Sequence, residues 1–397
     1  MAQVAAMSTS ASAGAEPPVT LFERQGHVQG VTLNRPKKFN ALDLEMIRLI
    51  KPKYDAWVSD AEANKDKVCV FMTGAGEKAF CAGGDVASIR SNVLNGGSMG
   101  ADLFYEEYQL NHRIATAFER AGLVQLSLWD GITMGGGVGL SLHGKVRIAT
   151  EKTLFAMPET SLGLFPDVGG TFALTRLKHG LSVGVYIALT GCRLGPADCM
   201  WSGLATHFVP REKVAQLREE LEGMGEEAAD VDLIEQALQR ATGDATPPTE
   251  GKQKEVLRPY KHLIDACFKF DTVEEIFSAL ANVRDEAQEK SDSEWAGATL
   301  KTLEKCSPVS LKVTLKALHL HAGPSVTIGD ALKNEYRITQ RMCDANGDFF
   351  EGVRAILIDR DNSQVWNQSS IHQVSDALVD AYFAPLPKEH LRGELVL

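Results

Sequence analysis

Two buried strand-like runs, each followed by a glycine-rich junction and then a helix-like run, constrain the fold of this chain most. Residues 68–73 (VCVFMT) lead into GAGEKAFCAGGD, and residues 123–129 (LVQLSLW) lead into DGITMGGGVG. Short apolar runs with β-branched residues, closed by glycine, predict buried strands. Strands that alternate with helices are typical of βα units, so the sequence predicts an α/β fold with a largely parallel sheet.

The same alternation continues along the first half of the chain, and helical patterns dominate after residue 183. Further strands are predicted at residues 28–34, 146–149 and 153–156. Helices are predicted from Asp43 onward, where Pro52 weakens the pattern, and at residues 86–90, 103–120, 186–190, 196–201, 211–227, 311–320 and 328–342. The acidic stretch 226–254 is predicted to include a surface loop or linker.

Composition and charge exclude several classes of function. The chain has 397 residues, 44% of them hydrophobic, and a formal net charge of -11. This acidic balance disfavours nucleic acid and anionic membranes as partners. No apolar run approaches the roughly 20 residues that a membrane span requires. The seven cysteines are scattered without a CxxC pair, which indicates reduced intracellular thiols rather than disulfides or a zinc site.

The glycine-rich junctions are candidates for binding an anion. Gly83 and Gly84 follow the first strand, and Gly135, Gly136 and Gly137 follow the second. At a passage from strand to helix, backbone amides lack partners and the helix dipole favours negative charge. Tight turns are the alternative interpretation of each cluster. The phosphate-binding P-loop and the dinucleotide fingerprint both fit poorly, because neither the Gly-Lys-Ser/Thr ending nor the third glycine spacing is present.

Four blocks of sequence closely resemble the crotonase superfamily, and within it the 3-hydroxyisobutyryl-CoA hydrolase branch. The blocks occur in the expected order and read CAGGD, GITMGGGVGLSLHG, ATEKTLFAMPETSLGLFPDVGG and LTGCRLGPADCMWSGLATHFV. The resemblance covers residues 19–209 and returns at 310–366. It implies a spiral core of ββα repeats followed by a C-terminal helical region. The implied divisions are a tail or leader remnant (1–18), the core with the active site (19–220), a helical or linker insertion (221–300) and the C-terminal helices (301–397).

The resemblance also implies roles for five residues. The backbone amides of Gly84 and Gly136 correspond to an oxyanion hole that holds a thioester carbonyl. Glu159 corresponds to the family's catalytic glutamate, and Asp167 to the second catalytic acid of the hydrolase branch. Glu107 corresponds to a substrate-contacting acid, and the implied substrate contacts also include Gly136, Glu159 and Asp167.

The absence of one carboxylate separates the branches of this superfamily. Enoyl-CoA hydratases resemble this sequence but carry a second glutamate two residues after the glycine triplet, where this chain has Gly139. Addition of water across a double bond would lose one of its acid/base partners here. The sequence therefore favours hydrolysis, with Asp167 as the second acid.

The predicted reaction is hydrolysis of a short β-hydroxyacyl-CoA thioester, of which the resemblance implies 3-hydroxyisobutyryl-CoA in valine catabolism. Glu159 acts either as a nucleophile or as a general base for water. Asp167 orients water or the substrate hydroxyl, or passes a proton to the thiolate. Neither a metal nor a cofactor is expected, since a thiolate leaves readily and coenzyme A is part of the substrate. The alternatives are an enoyl-CoA hydratase or isomerase and a non-catalytic acyl-CoA-binding protein.

Each of these residues also has an ordinary structural interpretation. Without the resemblance, Glu159 is an acid at a helix start, Asp167 a loop acid and Glu107 an exposed helix acid. The side chains expected to serve packing rather than chemistry are Cys81, His143 and His207.

Candidates for contacts with the phosphates of coenzyme A are Lys37, Lys38 and Arg360. The basic residue expected two places after Asp85 is replaced by Ala87, and Arg90 is a possible substitute. The implied pathway places the protein in mitochondria, although no arginine precedes Arg24 in the N-terminal segment. The resemblance also implies a possible homo-oligomer.

Overall fold

The computed structural model describes residues 17–64, 68–251 and 254–397, and these residues have the predicted α/β architecture. The described strands are β1 (Thr20–Gln25), β2 (Val28–Leu33), β3 (Cys69–Gly74), β4 (Ala79–Cys81), β5 (Val124–Trp129), β6 (Ile132–Met134), β7 (Val146–Ala149), β8 (Leu154–Ala156) and β9 (His207–Phe208). They form a six-stranded sheet in the order β1-β2-β3-β5-β7-β9 and a three-stranded sheet in the order β4-β6-β8. Most of the predicted tail, residues 1–16, lies outside the described residues.

Helices make up most of the remaining structure. The described α-helices are α1 (Leu44–Asn64), α2 (Val86–Leu94), α3 (Met99–Ala121), α4 (Gly136–Ser141), α5 (Gly170–Leu174), α6 (Leu181–Thr190), α7 (Pro196–Ser202), α8 (Arg211–Gly223), α9 (Val231–Thr242), α10 (Lys261–Cys267), α11 (Val273–Glu286), α12 (Lys290–Leu303), α13 (Pro308–His321), α14 (Ile328–Met342), α15 (Asp348–Val353) and α16 (Asp376–Phe383). A 3-10 helix spans Glu159–Leu162, and a π-helix spans Arg354–Ile358. None of the helices described above has the length and apolar character of a membrane-spanning segment.

The topology confirms the spiral core of ββα repeats. The strands β3, β5 and β7 lie in the large sheet, and each is followed by a strand of the small sheet (β4, β6 or β8) and then by a helix. Apart from the antiparallel β1–β2 pair, the paired strands of both sheets are parallel. The carboxyl ends of β4, β6 and β8 therefore meet at one edge of the small sheet.

Helix α1 continues through Pro52, although proline inside a helix costs about 3 kcal/mol. The side chain of Asp43 accepts a hydrogen bond from the Met46 amide at 2.9 Å, as expected of an N-cap. The apolar stripe that includes Ile47, Ile50 and Tyr54 is fully buried. Tertiary packing of this stripe outweighs the local cost of the proline.

The structure differs from the sequence prediction at several short elements. The charged helix predicted at 211–227 ends at Gly223, and a separate 3-10 helix (Gly225–Ala229) follows, with Gly225 at φ 60°. The strands β1, β4, β6 and β9 were not predicted. Three of them have two or three residues and form only by pairing with neighbours, and β1 is a polar, largely exposed edge strand.

Apolar clusters cover both faces of the large sheet, as expected of a mainly parallel sheet. One cluster packs α8 and α9 against strand residues such as Phe71 and Leu126. Another cluster joins Leu164 and Phe165 to α13, α14 and α15. The C-terminal helices therefore support the segment between Glu159 and Asp167. The predicted boundaries between domains stay a prediction.

Candidate active site

All five residues assigned by the resemblance line one cavity of about 310 Å³. Gly84 follows β4, Gly136 follows β6, and Glu159 follows β8 after a short turn. Because these three strands are parallel neighbours, their carboxyl ends deliver the three residues to the same edge of the small sheet. Glu107 reaches the cavity from α3, and Asp167 from the loop before α5.

The two glycine junctions face each other across the cavity wall. A Cβ atom on Gly136 would lie 3.4 Å from the Gly84 nitrogen. Gly135 has φ 46° and ψ -121°, a conformation that residues with side chains avoid. Among the described residues, neither the Gly84 nor the Gly136 amide donates a hydrogen bond to a protein acceptor. The two amides are therefore free to bind a carbonyl oxygen that develops negative charge.

Asp85 anchors the loop that carries Gly84. Its carboxylate accepts hydrogen bonds from Arg35 at 2.8 Å, Lys38 at 3.0 Å and the Ser88 amide at 3.3 Å. Burial acts to raise the pKa of Asp85, but these hydrogen bonds outweigh burial and lower it to about 2. The ionised side chain caps α2 and holds Gly84 in place.

Three carboxyl groups are buried in the cavity wall: Glu107 is 2% exposed, Asp167 4% and Glu159 5%. Burial, together with the charge of Asp167, raises the pKa values of Glu107 and Glu159 well above the ordinary range. One carboxyl oxygen on each of these glutamates has no hydrogen-bond partner within the described part of the chain. Buried unpaired oxygens at the edge of a cavity are suited to contact a ligand or water.

Asp167 differs from the two glutamates because it accepts a hydrogen bond from another side chain. The Tyr108 hydroxyl donates to Oδ2 of Asp167 at 2.6 Å. Burial raises the pKa of Asp167 to about 6, and the hydrogen bond from Tyr108 opposes this rise. Sequence analysis missed Tyr108, although it directly follows Glu107.

Val168 fills the space beside Gly139. A Cβ atom on Gly139 would lie 2.6 Å from Cβ of Val168 and 2.9 Å from Nδ2 of Asn111. Val168 has φ 53°, which is rare for a β-branched residue, and His143 Nε2 lies 2.8 Å from its carbonyl oxygen. The site of the hydratase glutamate is therefore occupied by neighbouring side chains, and His143 contributes to holding one of them.

The other candidates from the sequence lie in ordinary structural environments. Burial raises the pKa of the Cys81 thiol to about 12, and its Sγ lies 3.6 Å from the Gly83 carbonyl oxygen. His207 pairs with Glu235 at 2.9 Å. Across residues 17–64, 68–251 and 254–397, no three His, Cys, Asp or Glu side chains are grouped so that they could hold a metal ion.

Two of the basic residues proposed to contact the phosphates of coenzyme A, Lys38 and Arg90, are already bound to other parts of the protein. Lys38 is paired with Asp85, and the Arg90 guanidinium donates to the Phe350 carbonyl at 2.9 Å. Arg193, which sequence analysis did not single out, lines the cavity. Its position in the block LTGCRLG is the signal that could have found it.

Curated relatives match nearly the whole chain. Proteins named 3-hydroxyisobutyryl-CoA hydrolase, mitochondrial, are 42% identical in Rattus norvegicus, over 94% of this chain and 90% of the rat protein, and 42% identical in Danio rerio, over 96% and 93%. The Homo sapiens protein of the same name is 40% identical over 94% of this chain and 90% of its own length.

Two solved structures share the complete fold. A carnitinyl-CoA dehydratase from Mycobacterium thermoresistibile superimposes with a TM-score of 0.79 at 33% identity, covering 96% of this chain and 99% of its own. An enoyl-CoA hydratase from Rhodobacter sphaeroides gives 0.77 at 34% identity, with 96% and 100% covered. The family profile for enoyl-CoA hydratase/isomerase matches residues 28–383. With its spiral ββα core and paired glycine junctions, the chain therefore belongs to the enoyl-CoA hydratase/isomerase family, the crotonase superfamily.

Proposed function

We propose that this protein hydrolyses 3-hydroxyisobutyryl-CoA to 3-hydroxyisobutyrate and coenzyme A. The observation that carries the proposal is the arrangement of Glu159 and Asp167 beside the free Gly84 and Gly136 amides. The filled space at Gly139 supports hydrolysis over hydration. Full-length relatives named for this hydrolase support the choice of acyl group, and the valine pathway follows from that substrate.

The first step is binding of the thioester carbonyl against the two glycine amides. Charge accumulates on this oxygen when the carbonyl carbon is attacked, and fixed amide dipoles stabilise it without reorganisation. Removal of one such donor in comparable sites lowers the rate about 100- to 1,000-fold. Gly84 and Gly136 therefore account for a large share of the expected acceleration.

Glu159 supplies or activates the nucleophile, and Asp167 supplies the proton for the leaving group. Two buried carboxyl groups that repel each other resist double ionisation, so the pair retains one proton near neutral pH. Glu159 lies next to the glycine junction after β6, since a Cβ on Gly135 would lie 3.1 Å from its Oε1. Burial raises the pKa of Glu159 well above its ordinary range, so the shared proton first passes from Glu159 to Asp167. Ionised Glu159 then attacks the carbonyl or takes a proton from water, the C–S bond breaks, and Asp167 gives its proton to the departing thiolate.

The two routes for Glu159 predict different labelling. A nucleophilic Glu159 forms an acyl-enzyme anhydride, which water then hydrolyses, whereas a general base delivers hydroxide directly to the thioester. A single turnover quenched before completion, followed by mass spectrometry of the active-site peptide, separates them. Only the first route accumulates acyl groups on the peptide that contains Glu159.

The proposed reaction uses no resident metal or organic cofactor. The thiolate is a good leaving group, and the glycine amides supply the charge stabilisation that a metal would otherwise give. Dialysis against EDTA is expected to leave the rate unchanged. A loss of activity that Zn²⁺ or Mg²⁺ restores would contradict this part of the proposal.

A thiol-release assay over a panel of acyl-CoA thioesters tests the function. We expect release of coenzyme A from 3-hydroxyisobutyryl-CoA at a rate well above that from acetyl-CoA. The alternative, enoyl-CoA hydration, predicts loss of the crotonyl-CoA absorbance without thiol release. Hydration of crotonyl-CoA together with no thiol release from 3-hydroxyisobutyryl-CoA would overturn the proposal, and binding without either reaction would favour an acyl-CoA-binding role.

We also propose a mitochondrial location, because the relatives that support the function are named mitochondrial. Imaging of the full chain with a C-terminal fluorescent tag tests this, and a diffuse signal outside mitochondria would contradict it. Sedimentation velocity of the purified chain tests the homo-oligomer that the family resemblance implies.

A further inference from the structure

Two hydroxyl groups from different parts of the chain hold the side chain of Asp167. Tyr108 of α3 donates to Oδ2 of Asp167 at 2.6 Å, and Thr339 of α14 lies 2.7 Å from the Tyr108 oxygen. Tyr108 and Thr339 are fully buried, and Asp167 is nearly so. Because neither hydroxyl reaches solvent, the contacts form a closed chain from the cavity into the C-terminal helices.

The hydrogen atoms in this chain can be arranged in two ways. Thr339 also lies 2.8 Å from the Glu335 carbonyl oxygen, which can only accept. If Asp167 is ionised, Tyr108 donates to it and accepts from Thr339. If Asp167 is protonated, Asp167 donates to Tyr108, Tyr108 to Thr339, and Thr339 to Glu335. Each arrangement gives the Asp167 carboxyl group a partner, so neither protonation state is left unpaired.

We propose that Tyr108 and Thr339 are positioning residues that hold Asp167 in one orientation in both of its protonation states. Asp167 can then take up a proton from Glu159 and later release it to the thiolate without losing its hydrogen bond. The chain ends at a backbone carbonyl, so it does not conduct protons to solvent. This catalytic consequence rests on the proposed hydrolase function, whereas the titration of Asp167 does not.

The other ionisable groups around Asp167 make the Tyr108 hydroxyl the principal stabiliser of its charge. Glu107 faces it from α3, Glu159 from the 3-10 helix, and Glu335 from α14, which Cys343 directly follows. All of these are acids, and no ion pair to Asp167 is found among the described residues. Loss of the Tyr108 hydroxyl therefore leaves ionised Asp167 with only the hydrogen bond from its own backbone amide.

Helix α14 also fixes the backbone next to Asp167. The Glu335 carboxyl group accepts hydrogen bonds from the Gly169 amide at 2.6 Å and the Thr171 amide at 3.2 Å. Thr339 lies one turn after Glu335 on the same helix. Helix α14 thus binds the loop that follows Asp167 and also supplies Thr339, one of the two hydroxyl groups (Tyr108 and Thr339, the hydroxyl pair).

Four variants test the proposal. Tyr108→Phe and Thr339→Val each remove one hydroxyl, and Thr339→Ser retains it. Tyr336→Phe is the matched control. The Tyr336 ring lies 6.3 Å from the Tyr108 ring, but its buried hydroxyl has no hydrogen-bond partner among the residues that the structure describes. Comparison of melting temperatures separates effects on folding from effects on the site.

Two measurements on each variant give the decisive results. The first is the pH profile of kcat for thiol release, and the second is the infrared carboxyl band that Asp167→Asn removes, titrated without substrate. We expect Tyr108→Phe to lower kcat about 10- to 100-fold. We expect the band and the corresponding limb of the profile to move about one pH unit upward. The limb moves upward whether the reaction needs Asp167 ionised or protonated, because either limb follows its pKa.

The remaining variants have their own expected results, and some results would overturn the proposal. Thr339→Val should show a smaller shift in the same direction, with Thr339→Ser and Tyr336→Phe close to the unmodified protein. An Asp167 band that titrates unchanged in Tyr108→Phe would overturn the proposal, as would equal losses in Tyr336→Phe or Thr339→Ser. If the unmodified protein releases no thiol, the hydrolase function fails, while the infrared titration still tests the hydroxyl pair.

Discussion

Val168 occupies the space into which a side chain at position 139 would project, because a Cβ on Gly139 would lie only 2.6 Å from Cβ of Val168. Val168 directly follows Asp167, so the residue that fills this space belongs to the same loop as the predicted second acid. The loop that carries the predicted second acid therefore leaves no space for a glutamate at position 139.

We predict that Gly139→Glu does not create a hydratase. The new side chain must displace Val168 and Asn111 and place a further carboxylate beside three buried ones, which costs at least about 3 kcal/mol. The melting temperature should fall, and crotonyl-CoA should not be hydrated. Gly223→Ala is the control, since a Cβ there meets no atom of the described residues within 4 Å. Crotonyl-CoA hydration by a stably folded Gly139→Glu variant would contradict the packing account.

Replacement of Glu159 by glutamine should abolish turnover while binding persists. Glutamine keeps the shape of the side chain but can neither attack the carbonyl nor accept a proton. The value of kcat should therefore fall about 100- to 10,000-fold. Isothermal titration with coenzyme A, which lacks the acyl group, should give an unchanged Kd. Glu304→Gln, an exposed position, serves as the control. Retained turnover would remove Glu159 from the mechanism.

Cys81 should prove dispensable for the reaction, although it ends β4, three residues before Gly84. Its thiol is fully buried, and burial raises its pKa to about 12, so the reactive thiolate is scarce at neutral pH. Cys81→Ala should keep kcat within about threefold and cost about 1 kcal/mol of stability from the small cavity that it creates. Mass spectrometry after iodoacetamide treatment of the folded protein should find Cys81 unmodified. Inactivation that follows Cys81 labelling would instead indicate a nucleophilic thiol.

The sequence predicted the fold class because its signals are local and strong. The strand patterns before the two glycine junctions correspond to β3 and β5, which are fully or largely buried. The resemblance placed Gly84, Gly136, Glu107, Glu159 and Asp167 around one site, and these residues do line one cavity. Their catalytic roles stay predictions.

The contact between the Tyr108 and Thr339 hydroxyl groups could not be predicted from sequence patterns. Tyr108 and Thr339 are 231 residues apart in the chain, and each lies on an amphipathic helix whose pattern requires only burial. The short strands β4 and β6 were missed for a related reason, since three residues carry too little periodicity and their pairing is set by tertiary contacts. Long-range contacts of this kind appear only when the whole chain is folded.

Asp167 should make the folded protein less stable as the pH rises. Burial raises its pKa from 3.8 to about 6, so the folded protein binds more protons than the unfolded chain between these values. The free energy of unfolding therefore decreases as the pH rises through this interval, by up to about 3 kcal/mol for this group. Asp167→Asn removes the charge, and its stability should exceed that of the unmodified protein at pH 8 but not at pH 3.5.

Urea unfolding of Asp167→Asn and the unmodified protein at several pH values measures this difference. Asp60→Asn, at an exposed position, controls for the general effect of removing one negative charge. Equal stability gains at pH 3.5 and pH 8 would show that the amide packs better rather than that a buried charge has been removed. A gain that grows between pH 3.8 and about 6 and stays constant above, accompanied by lost thiol release, would show that this carboxyl group is retained for the reaction at the expense of stability.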